Sequence, residues 1–399
     1  MVLNHPKLER LRSRYAHLDA LMKRGIFRDP DTGLEYFTGY RYRVLFDWDQ
    51  YFEAIVQTYM GWPSTYMKNA VLIFLEHQRE DGFIARSVPS NPYHDDEHVK
   101  PFLSQIALHV CRTYGESEWI AGERNFSRLK AYLDYWTDRM DSNGNGLSEW
   151  MSAPHSGMDN QHERAGYWKD QFCEGVDLNC YLVREFEAFA GLAELTGRAE
   201  LAEEYRAKSA ALKRRIQTMM WDEEDRFFYD LNCRAEEKLK SRFLPHLQIN
   251  ATNDRRIKVK SVSAFAALFA GVATPEQAWH LVNEHLLNPN EFWSDSPVAA
   301  LARNERWYTE DLLPGDLGCN WRGSVWIPAN YMIYHGLKRY GYREIASVLA
   351  HRTFRLVEQA GPREWYNAET GEGRGLDPFW GWSLLGYFMI FEEEENICL

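Results

Sequence analysis

The chain has 399 residues, a formal net charge of -12 at pH 7 and 45% hydrophobic residues, enough for the core of one large domain. This acidic balance, without a long basic run, gives no electrostatic basis for nucleic-acid binding. No stretch approaches the roughly 20 apolar residues of a membrane helix, and the charged start lacks the apolar region of a signal peptide. The 6 cysteines form no CxxC pair, so we expect a cytoplasmic protein with reduced thiols.

Nearly all periodic segments of the chain are helical, and most come in pairs separated by a few residues, as in antiparallel hairpins. The best candidate for a strand is the short stretch near 226–232. The predicted helices are a first one near 5–23, pairs at 47–60 with 64–79, 101–115 with 117–140, 180–197 with 200–221, 258–271 with 275–286 and 322–340 with 342–359, and a last one near 379–391.

The chain thus has about twelve predicted helices, and their arrangement predicts the fold class. The hairpins share no fixed repeat, which argues against a helical solenoid. Six consecutive hairpins can instead close into a ring of inner and outer helices, with functional residues on the loops at one end. No linker rich in Pro, Gly or Ser interrupts the chain. We therefore predict an all-α (α/α)6 barrel that forms a single catalytic domain over residues 1–399.

Four connecting stretches combine aromatic and acidic residues, and aromatic rings suit sugar-binding clefts because they stack on the C–H faces of sugars. In the first, "LFDWDQYF", either aspartate can cap the helix that follows while the other binds sugar hydroxyls. The other three are "SGMDNQ" from Ser156, "GCNWRGSVWIPANY" from Gly318 and "GPREWYNAETGEGRGLDPFWGWS" from Gly361.

Asp159 and Glu364 are the acidic residues nearest the centres of the second and fourth stretches. Glycoside hydrolysis needs two carboxyl groups that flank the scissile bond. One protonates the leaving oxygen, and the other activates water or attacks the carbon. An apolar neighbour such as Met158 would raise the pKa of the acid and keep its proton available near neutral pH. On the residues alone, an ordinary surface role for either acid stays open.

The four stretches, in this order, resemble glycoside hydrolase family 63 and, more distantly, the trehalases of family 37. The family's acid motif, SGWDN, is matched by residues 156–160 with Met158 in place of Trp. Its base motif, E-[NYW]-Y-N-P-x-T-G, is matched by residues 364–371 with Ala368 in place of Pro. The resemblance spans about residues 40–390, with further matches to WD-x-x-F-x-A at 48–54, VDLN at 176–179, YWRGPVWPPTNYL at 320–332 and a typical run at 291–308.

The resemblance implies an (α/α)6 barrel and an inverting mechanism with Asp159 as general acid and Glu364 as general base. An inverting enzyme needs room for water, so the two carboxyl groups should lie roughly 6.5–9.5 Å apart. Gly157 would let the backbone approach the sugar closely. The positions expected to bind substrate are Phe46, Trp48, Asp49, Arg86, Gln105, Gly157, Trp321, Arg322, Gly323, Tyr366 and Trp382.

The compact chain resembles the mannosylglycerate and glucosylglycerate hydrolases, whose aglycone is an acid. A carboxylate needs a cation, and arginine suits it best. Arg86 and Arg322 are the first candidates, followed by Arg43 and Arg164. Each could equally form an ordinary ion pair, so a neutral disaccharide of the trehalose, kojibiose or nigerose type stays open.

We expect an inverting α-glycosidase for a small α-glucoside or α-mannoside, without a cofactor or a nucleic-acid or membrane partner; a homo-oligomer stays open.

Two patterns are weak metal signals. "DSNGNGLSEW" begins like a calcium loop at Asp141, but its twelfth position is Ser152 rather than Glu, so we expect a tight turn and keep a weak calcium site as the alternative. The H-x-x-E-H pattern at 94–98 follows Pro-rich sequence and has no clear helix to present both histidines, so we predict no zinc site.

Two other protein classes stay open. Sugar 2-epimerases and aldose–ketose isomerases share this barrel and chain length, but they use histidine for acid–base chemistry, so loss of Asp159 and Glu364 would spare them. A carbohydrate-binding or helical scaffold protein would need neither an acid nor a base, and turnover would exclude it.

Overall fold

The computed structural model describes residues 6–92, 95–167, 169–235, 255–314, 316 and 318–395. Its regular structure is mostly helical. The α-helices are α1 (Pro6–Arg14), α2 (Ala16–Met22), α3 (Asp47–Met60), α4 (Thr65–Glu76), α5 (Leu103–Tyr114), α6 (Glu118–Ala121), α7 (Glu123–Arg139), α8 (Ala153–Ser156), α9 (His162–Ala165), α10 (Val176–Leu195), α11 (Ala199–Arg215), α12 (Ala266–Phe269), α13 (Pro275–His280), α14 (Ile327–Arg339), α15 (Arg343–Ala360) and α16 (Leu385–Glu395).

Short strands lie in the connections between helices and pair with one another in antiparallel sheets. Three sheets have two strands each, and two have three strands, in the orders β5-β8-β9 and β10-β11-β12. The strands are β1 (Ile26–Arg28), β2 (Glu35–Phe37), β3 (Leu45–Phe46), β4 (Ser87–Val88), β5 (Cys173–Glu174), β6 (Trp221–Asp222), β7 (Phe227–Phe228), β8 (Asp230–Asn232), β9 (Arg256–Ile257), β10 (Ser324–Val325), β11 (Trp365–Asn367) and β12 (Gly373–Arg374).

The chain forms two compact units. The first contains the described parts of Met1–Trp136, Arg184–Ser209 and Pro378–Leu399, and the second contains the described parts of Thr137–Val183 and Ala210–Asp377. Both Asp159 and Glu364 belong to the second unit. The prediction of one catalytic domain over the whole chain stays a prediction.

In the first unit, a buried carboxylate stabilises the start of α5. The residue at the N-cap, Phe102, offers no side-chain acceptor to the free backbone N–H groups there. Glu185, from α10, accepts hydrogen bonds from the backbone N–H groups of Ser104 and Gln105 and from the Tyr132 hydroxyl at 2.9 Å. A negative charge at a helix N-terminus also interacts favourably with the helix dipole. This contact fixes the backbone from which the Gln105 side chain projects.

In the second unit, a buried ion cluster holds the start of α10. Arg164 donates to Asp177 at 3.1 Å and to Asp230 at 3.2 Å, and all three side chains are buried. Asp230 also accepts from the backbone N–H of Val176 at 2.6 Å. Asp177 accepts from the indole N–H of Trp150 at 2.8 Å. Buried charges are tolerated when they are paired and hydrogen-bonded in this way, so Arg164 is part of the scaffold.

Most of the predicted hairpins are confirmed, with shifted ends. The predicted first helix breaks at Tyr15 into α1 and α2. The segment predicted as helix 258–271 becomes helical only at Val262, because Ser261 is extended and caps the turn through its side chain. The predicted helix 322–340 begins at Ile327, with extended Trp326 before it and proline in its first turn. The stretch near 226–232 forms β7 and β8, as predicted.

Within the described residues, no helix has the length and apolar character needed to cross a membrane. The H-x-x-E-H pattern at 94–98, for which no zinc site was predicted, begins outside the described residues. His98 itself is buried and accepts from the Ile84 backbone N–H through Nδ1 at 3.1 Å. Nδ1 of His98 is therefore occupied by a hydrogen bond within the protein.

Candidate active site

Two one-turn helices that the sequence did not predict flank Asp159. α8 begins with a Ser152 side chain that accepts from the backbone N–H of His155 at 3.1 Å. It ends at Gly157, whose φ of +85° is the left-handed conformation that glycine adopts without a side-chain clash. The chain then turns through buried Met158 to half-buried Asp159. The glycine before the acid is thus required by the sharp end of α8.

Asn160 and Gln161 attach this loop to the "NWRG" stretch. The Asn160 side-chain oxygen accepts from the Trp321 N–H at 2.7 Å, and its amide donates to Asp316 at 3.1 Å. Gln161 donates to the carbonyl oxygen of Trp321 at 2.5 Å and accepts from the Ser261 hydroxyl at 2.9 Å. Both side chains are fully buried. Asn160 therefore holds the loop in place.

Glu364 lies immediately before β11, and its carboxylate is held by the opposite side of the β11–β12 hairpin. Its Oε2 accepts from the Leu376 N–H at 2.9 Å, and its own backbone N–H donates to the Leu376 carbonyl at 3.3 Å. Gly375, with a φ of +67°, passes so close to Oε2 that a side chain there would clash with Glu364. The glycine-rich sequence after Glu364 thus lets the backbone approach the carboxylate.

The carboxylates of Asp159 and Glu364 meet at the thiol of Cys319. The thiol donates to Glu364 Oε1 at 3.8 Å and also interacts with the side chain of Asp159. Burial raises the pKa of the thiol well above its usual range, and the two carboxylates raise it further. The thiol therefore stays protonated and acts as a donor.

The electrostatics of Glu364 suit a base that works near neutral pH. Burial raises the pKa of Glu364, the Leu376 backbone N–H lowers it, the negative charge of Asp159 raises it again and the Cys319 thiol lowers it. The net direction is upward from the ordinary value of 4.5. A carboxylate with a raised pKa binds a proton from water more readily when it acts as a general base.

Arg322, predicted to bind substrate, is paired with two buried carboxylates. Its Nη1 lies 3.0 Å from Asp316, and its Nε and Nη2 each lie 3.3 Å from Glu163. Burial raises the pKa of Glu163, while Arg322 lowers it. Because one positive charge faces two acids, no net cation is left at Arg322 for an acidic ligand.

The other predicted positions of the second unit, Trp321, Gly323 and Tyr366, make contacts within the protein. Trp321 is buried and stacks on Trp326, with ring centroids 3.8 Å apart. At Gly323 an added Cβ would lie 2.5 Å from the Thr309 carbonyl oxygen, so only glycine fits. The Tyr366 hydroxyl donates to the Gly361 carbonyl at 2.8 Å. Contact of these residues with a sugar stays a prediction.

The predicted aromatic positions Phe46, Trp48 and Trp382 lie in the first unit. Trp48 and Trp382 are buried and form an edge-to-face pair with centroids 6.2 Å apart. Half-buried Phe46 takes the N-cap position of α3, so neither Asp47 nor Asp49 is the N-cap residue. The Asp47 carboxylate nevertheless accepts from the Trp48 backbone N–H at 2.7 Å in the first turn, and it also accepts from Lys100 Nζ at 3.1 Å.

Asp49 and the two polar candidates of the first unit are buried. The charge of Asp49 helps to raise the pKa of Glu53, after burial as the larger cause. Arg86 forms an ion pair with Glu97 at 3.0 Å. The Gln105 side chain accepts from Arg184 at 2.9 Å. Arg43, a secondary candidate for binding an acid, lies over the ring of Phe27 at 5.5 Å.

Three residues that contact Glu364, Arg322 or Asn160 were not predicted from the sequence. Cys319 directly precedes the "NWRG" motif and was treated only as a scattered thiol. Glu163 lies four residues after Asp159, and this spacing could have suggested a partner for a motif arginine. Asp316 carries no local signal, because its role depends on Arg322 and Asn160 reaching it.

A family model described as "Mannosylglycerate hydrolase MGH1-like glycoside hydrolase domain" matches residues 42–383. The chain belongs to this glycoside hydrolase family. The match contains both Asp159 and Glu364 and all the motifs that resemble family 63, so the predicted family is confirmed.

Two of the similar proteins are a trehalase and a mannosylglycerate hydrolase. The cytosolic neutral trehalase of Kluyveromyces lactis is 24% identical over 83% of this chain and 50% of its own length. The mannosylglycerate hydrolase of Thermus thermophilus is 30% identical over 41% of this chain and 33% of its own length. The chain thus spans half or less of the length of these two relatives.

A solved structure shows the fold. A family 63 mannosylglycerate hydrolase from Thermus thermophilus, in complex with Tris and D-glycerate, superposes with a TM-score of 0.67 at 19% identity, over 96% of this chain and 100% of that one. The predicted all-α (α/α)6 barrel class is therefore confirmed.

Proposed function

We propose that this family member is an inverting α-glycosidase that hydrolyses a small α-glucoside or α-mannoside, with Asp159 as general acid and Glu364 as general base. The observation that carries the proposal is the meeting of the two carboxylates at Cys319, although the three residues are far apart in sequence. Membership of a glycoside hydrolase family supports the same reaction class.

In the proposed reaction, Asp159 donates its proton to the glycosidic oxygen while the bond from that oxygen to the anomeric carbon breaks. Glu364 removes a proton from a water molecule that attacks the opposite face of the same carbon. The sugar leaves with inverted anomeric configuration. Asp159 ends deprotonated and Glu364 protonated, and exchange with solvent restores both. A raised pKa strengthens Glu364 as the base for this step.

Similarity to mannosylglycerate hydrolases supports mannosylglycerate, or its close analogue glucosylglycerate, as the substrate. One observation favours a second candidate, a neutral disaccharide. The leading candidate cations, Arg86 and Arg322, are both paired with carboxylates inside their own units. An acidic aglycone would have to displace these partners or bind elsewhere, whereas a neutral aglycone would need no free cation.

Anomer-resolved proton NMR tests the proposal. The purified chain is incubated with glucosylglycerate, mannosylglycerate, trehalose, kojibiose, nigerose and isomaltose, beside Asp159→Ala and Glu364→Ala. We expect one substrate to release the β-anomer first and both variants to be inactive. Initial release of the glycone as the α-anomer would contradict inversion, whereas trehalose, whose aglycone leaves as α-glucose, should give both anomers in equal amounts. Full activity of either variant, or isomerisation of a free hexose, would contradict the assigned acid and base.

The proposal also covers the location, partners, domain organisation and oligomeric state of the protein. We propose a cytoplasmic enzyme with a sugar as its ligand and with no nucleic-acid or membrane partner; the net charge of -12 and the free cysteines of the described chain support this. We also propose that the whole chain acts as one catalytic domain and can form a homo-oligomer. Light scattering of the purified chain measures the oligomeric state, and limited proteolysis tests whether either unit survives alone.

A further inference from the structure

The β1–β2 hairpin and the end of α4 bring a histidine and two aspartates together in the first unit. Asp29 and Asp31 lie in the connection between the two strands, and His77 is the C-cap residue of α4. His77 Nε2 lies 3.8 Å from a carboxylate oxygen of each aspartate. One possible ligand atom from each of the three residues lies within 4.8 Å of the others. The three side chains therefore converge on one point, although His77 is far from the aspartates in sequence.

The histidine nitrogen at this point is available for a ligand. Nε2 of His77 is buried, and it has no hydrogen-bond partner within the described residues. Both carboxylate oxygens, at 3.8 Å, are beyond hydrogen-bond distance. A buried polar atom without a partner is costly, and an ion that binds it removes this cost. The side chain of His77 as a whole is 30% exposed and that of Asp31 is 72% exposed, so an ion can reach the cluster from solvent.

The two aspartates carry negative charge that no lysine or arginine balances. In the part of the chain that the structure describes, His77 is the only basic side chain within ion-pair distance of Asp29 or Asp31. The arginine next to the loop, Arg28, is engaged with Glu35 at 3.0 Å. Two carboxylates that face an unprotonated imidazole nitrogen attract a cation, and a divalent ion neutralises both of them.

The Asp29 carboxylate is held in place by its own loop. Asp29 is buried, and its Oδ2 accepts from the Thr32 backbone N–H at 2.9 Å and from the Thr32 hydroxyl at 2.6 Å. The backbone N–H of Asp29 donates to the Leu34 carbonyl at 2.9 Å, which closes the hairpin. Hydrogen bonds of this kind fix the orientation of a metal ligand. Exposed Asp31 has no such bond and can turn toward an ion that Asp29 and His77 hold.

We propose that Asp29, Asp31 and His77 bind a divalent transition-metal ion, with zinc as the best fit. One imidazole nitrogen and two carboxylate oxygens are ligands that zinc accepts, with water in the fourth position. Calcium and magnesium prefer oxygen ligands alone, so the histidine disfavours both. Ligand atoms that share a tetrahedral zinc ion lie roughly 3.4 Å apart. The two separations of 3.8 Å are close to this value, and rotation of exposed Asp31 closes the remaining gap.

The bound ion would join the hairpin to the helix. Asn69, earlier in α4, already donates to the Glu35 carbonyl of β2 at 2.7 Å. A metal bridge at His77 adds a second connection between α4 and the same hairpin. Because the ligands converge only in the folded chain, binding stabilises the fold. The first unit contains neither Asp159 nor Glu364, so the site is independent of the proposed glycosidase chemistry.

Zinc titration of the chelator-treated full chain tests the site, by isothermal calorimetry and by thermal unfolding. We expect saturable binding with a Kd below about 100 µM and a zinc-dependent rise in Tm. His77→Gln and Asp31→Asn should each weaken binding at least about tenfold. His17→Gln removes an exposed histidine of the same unit and should bind zinc as the wild type does. Cobalt(II) in place of zinc should give visible absorption without the intense near-ultraviolet band of a thiolate ligand.

Three results would overturn the site. Wild-type binding that does not saturate by about 100 µM zinc would mean an adventitious ion only. Unchanged affinity in either His77→Gln or Asp31→Asn would remove that residue from the ligands. A thiolate band with cobalt would place the ion at a cysteine. Circular dichroism in chelator checks that the variants are folded, and neither substitution removes a hydrogen bond of the described fold at Nε2 of His77 or at the Asp31 carboxylate.

Discussion

The thiol of Cys319 lies 3.8 Å from Oε1 of Glu364 and also interacts with the carboxylate of Asp159. A neutral donor between two acids stabilises the charged form of each acid that it contacts. Cys319 therefore belongs to the electrostatic environment of the proposed acid and base, although it takes no proton itself.

Replacing Cys319 by alanine should shift the pH dependence of turnover. The thiol lowers the pKa of Glu364, so its loss raises that pKa and leaves more of the base protonated at a given pH. The acid limb of kcat/KM should therefore move to higher pH. Cys319→Ser keeps a donor and should leave the limb near its wild-type position. A downward shift in Cys319→Ala would contradict the contact.

The acid and base roles can be separated with an α-glycosyl fluoride of the sugar that the NMR assay identifies. Fluoride leaves without a proton from Asp159, whereas attack by water still requires Glu364. Asp159→Asn should thus lose at least about a hundredfold on the natural glycoside but keep most activity on the fluoride. Glu364→Gln should be inactive on both. The reverse pattern, measured by fluoride release, would exchange the two assignments.

Gly375 should be necessary for the position of Glu364. An alanine side chain there would clash with Oε2 of Glu364, and the φ of +67° adds backbone strain of about 1–2 kcal/mol. We expect Gly375→Ala to lower kcat at least about tenfold, because small displacements of a catalytic group are costly. Gly341→Ala is the matched control: its φ is +85°, but nothing lies within 4 Å of the added Cβ. Equal loss of kcat in both variants would mean that backbone strain, and not the clash with Glu364, causes the effect.

Arg322 should contribute mainly to stability. Arg322→Met would leave the buried carboxylates of Glu163 and Asp316 facing each other without a cation, at a cost of roughly 3–5 kcal/mol in the free energy of unfolding. Arg303→Met removes a more exposed pair with Glu369 and should cost less than about 1 kcal/mol. Denaturant unfolding measures both. A stable Arg322→Met variant with a selectively raised KM for an acidic glycoside would instead make Arg322 an aglycone ligand.

The local sequence was sufficient for the helical hairpins, because hydrophobic periodicity and helix ends are encoded within a few turns. It was less reliable where proline or a capping serine moved a helix start, as at Ile327 and Val262. The one-turn helices α8 and α9 were missed because they are too short to show a period.

The sequence by itself determined the identities of the acidic candidates, the order of the motifs around them and the helical class of the fold. Only the tertiary structure decided that Asp159, Cys319 and Glu364 meet, that Asn160 binds the backbone of Trp321, and that Arg322 is already paired. The physical reason is that propensity and periodicity are local, whereas burial, hydrogen bonding and charge pairing depend on which distant segments pack together.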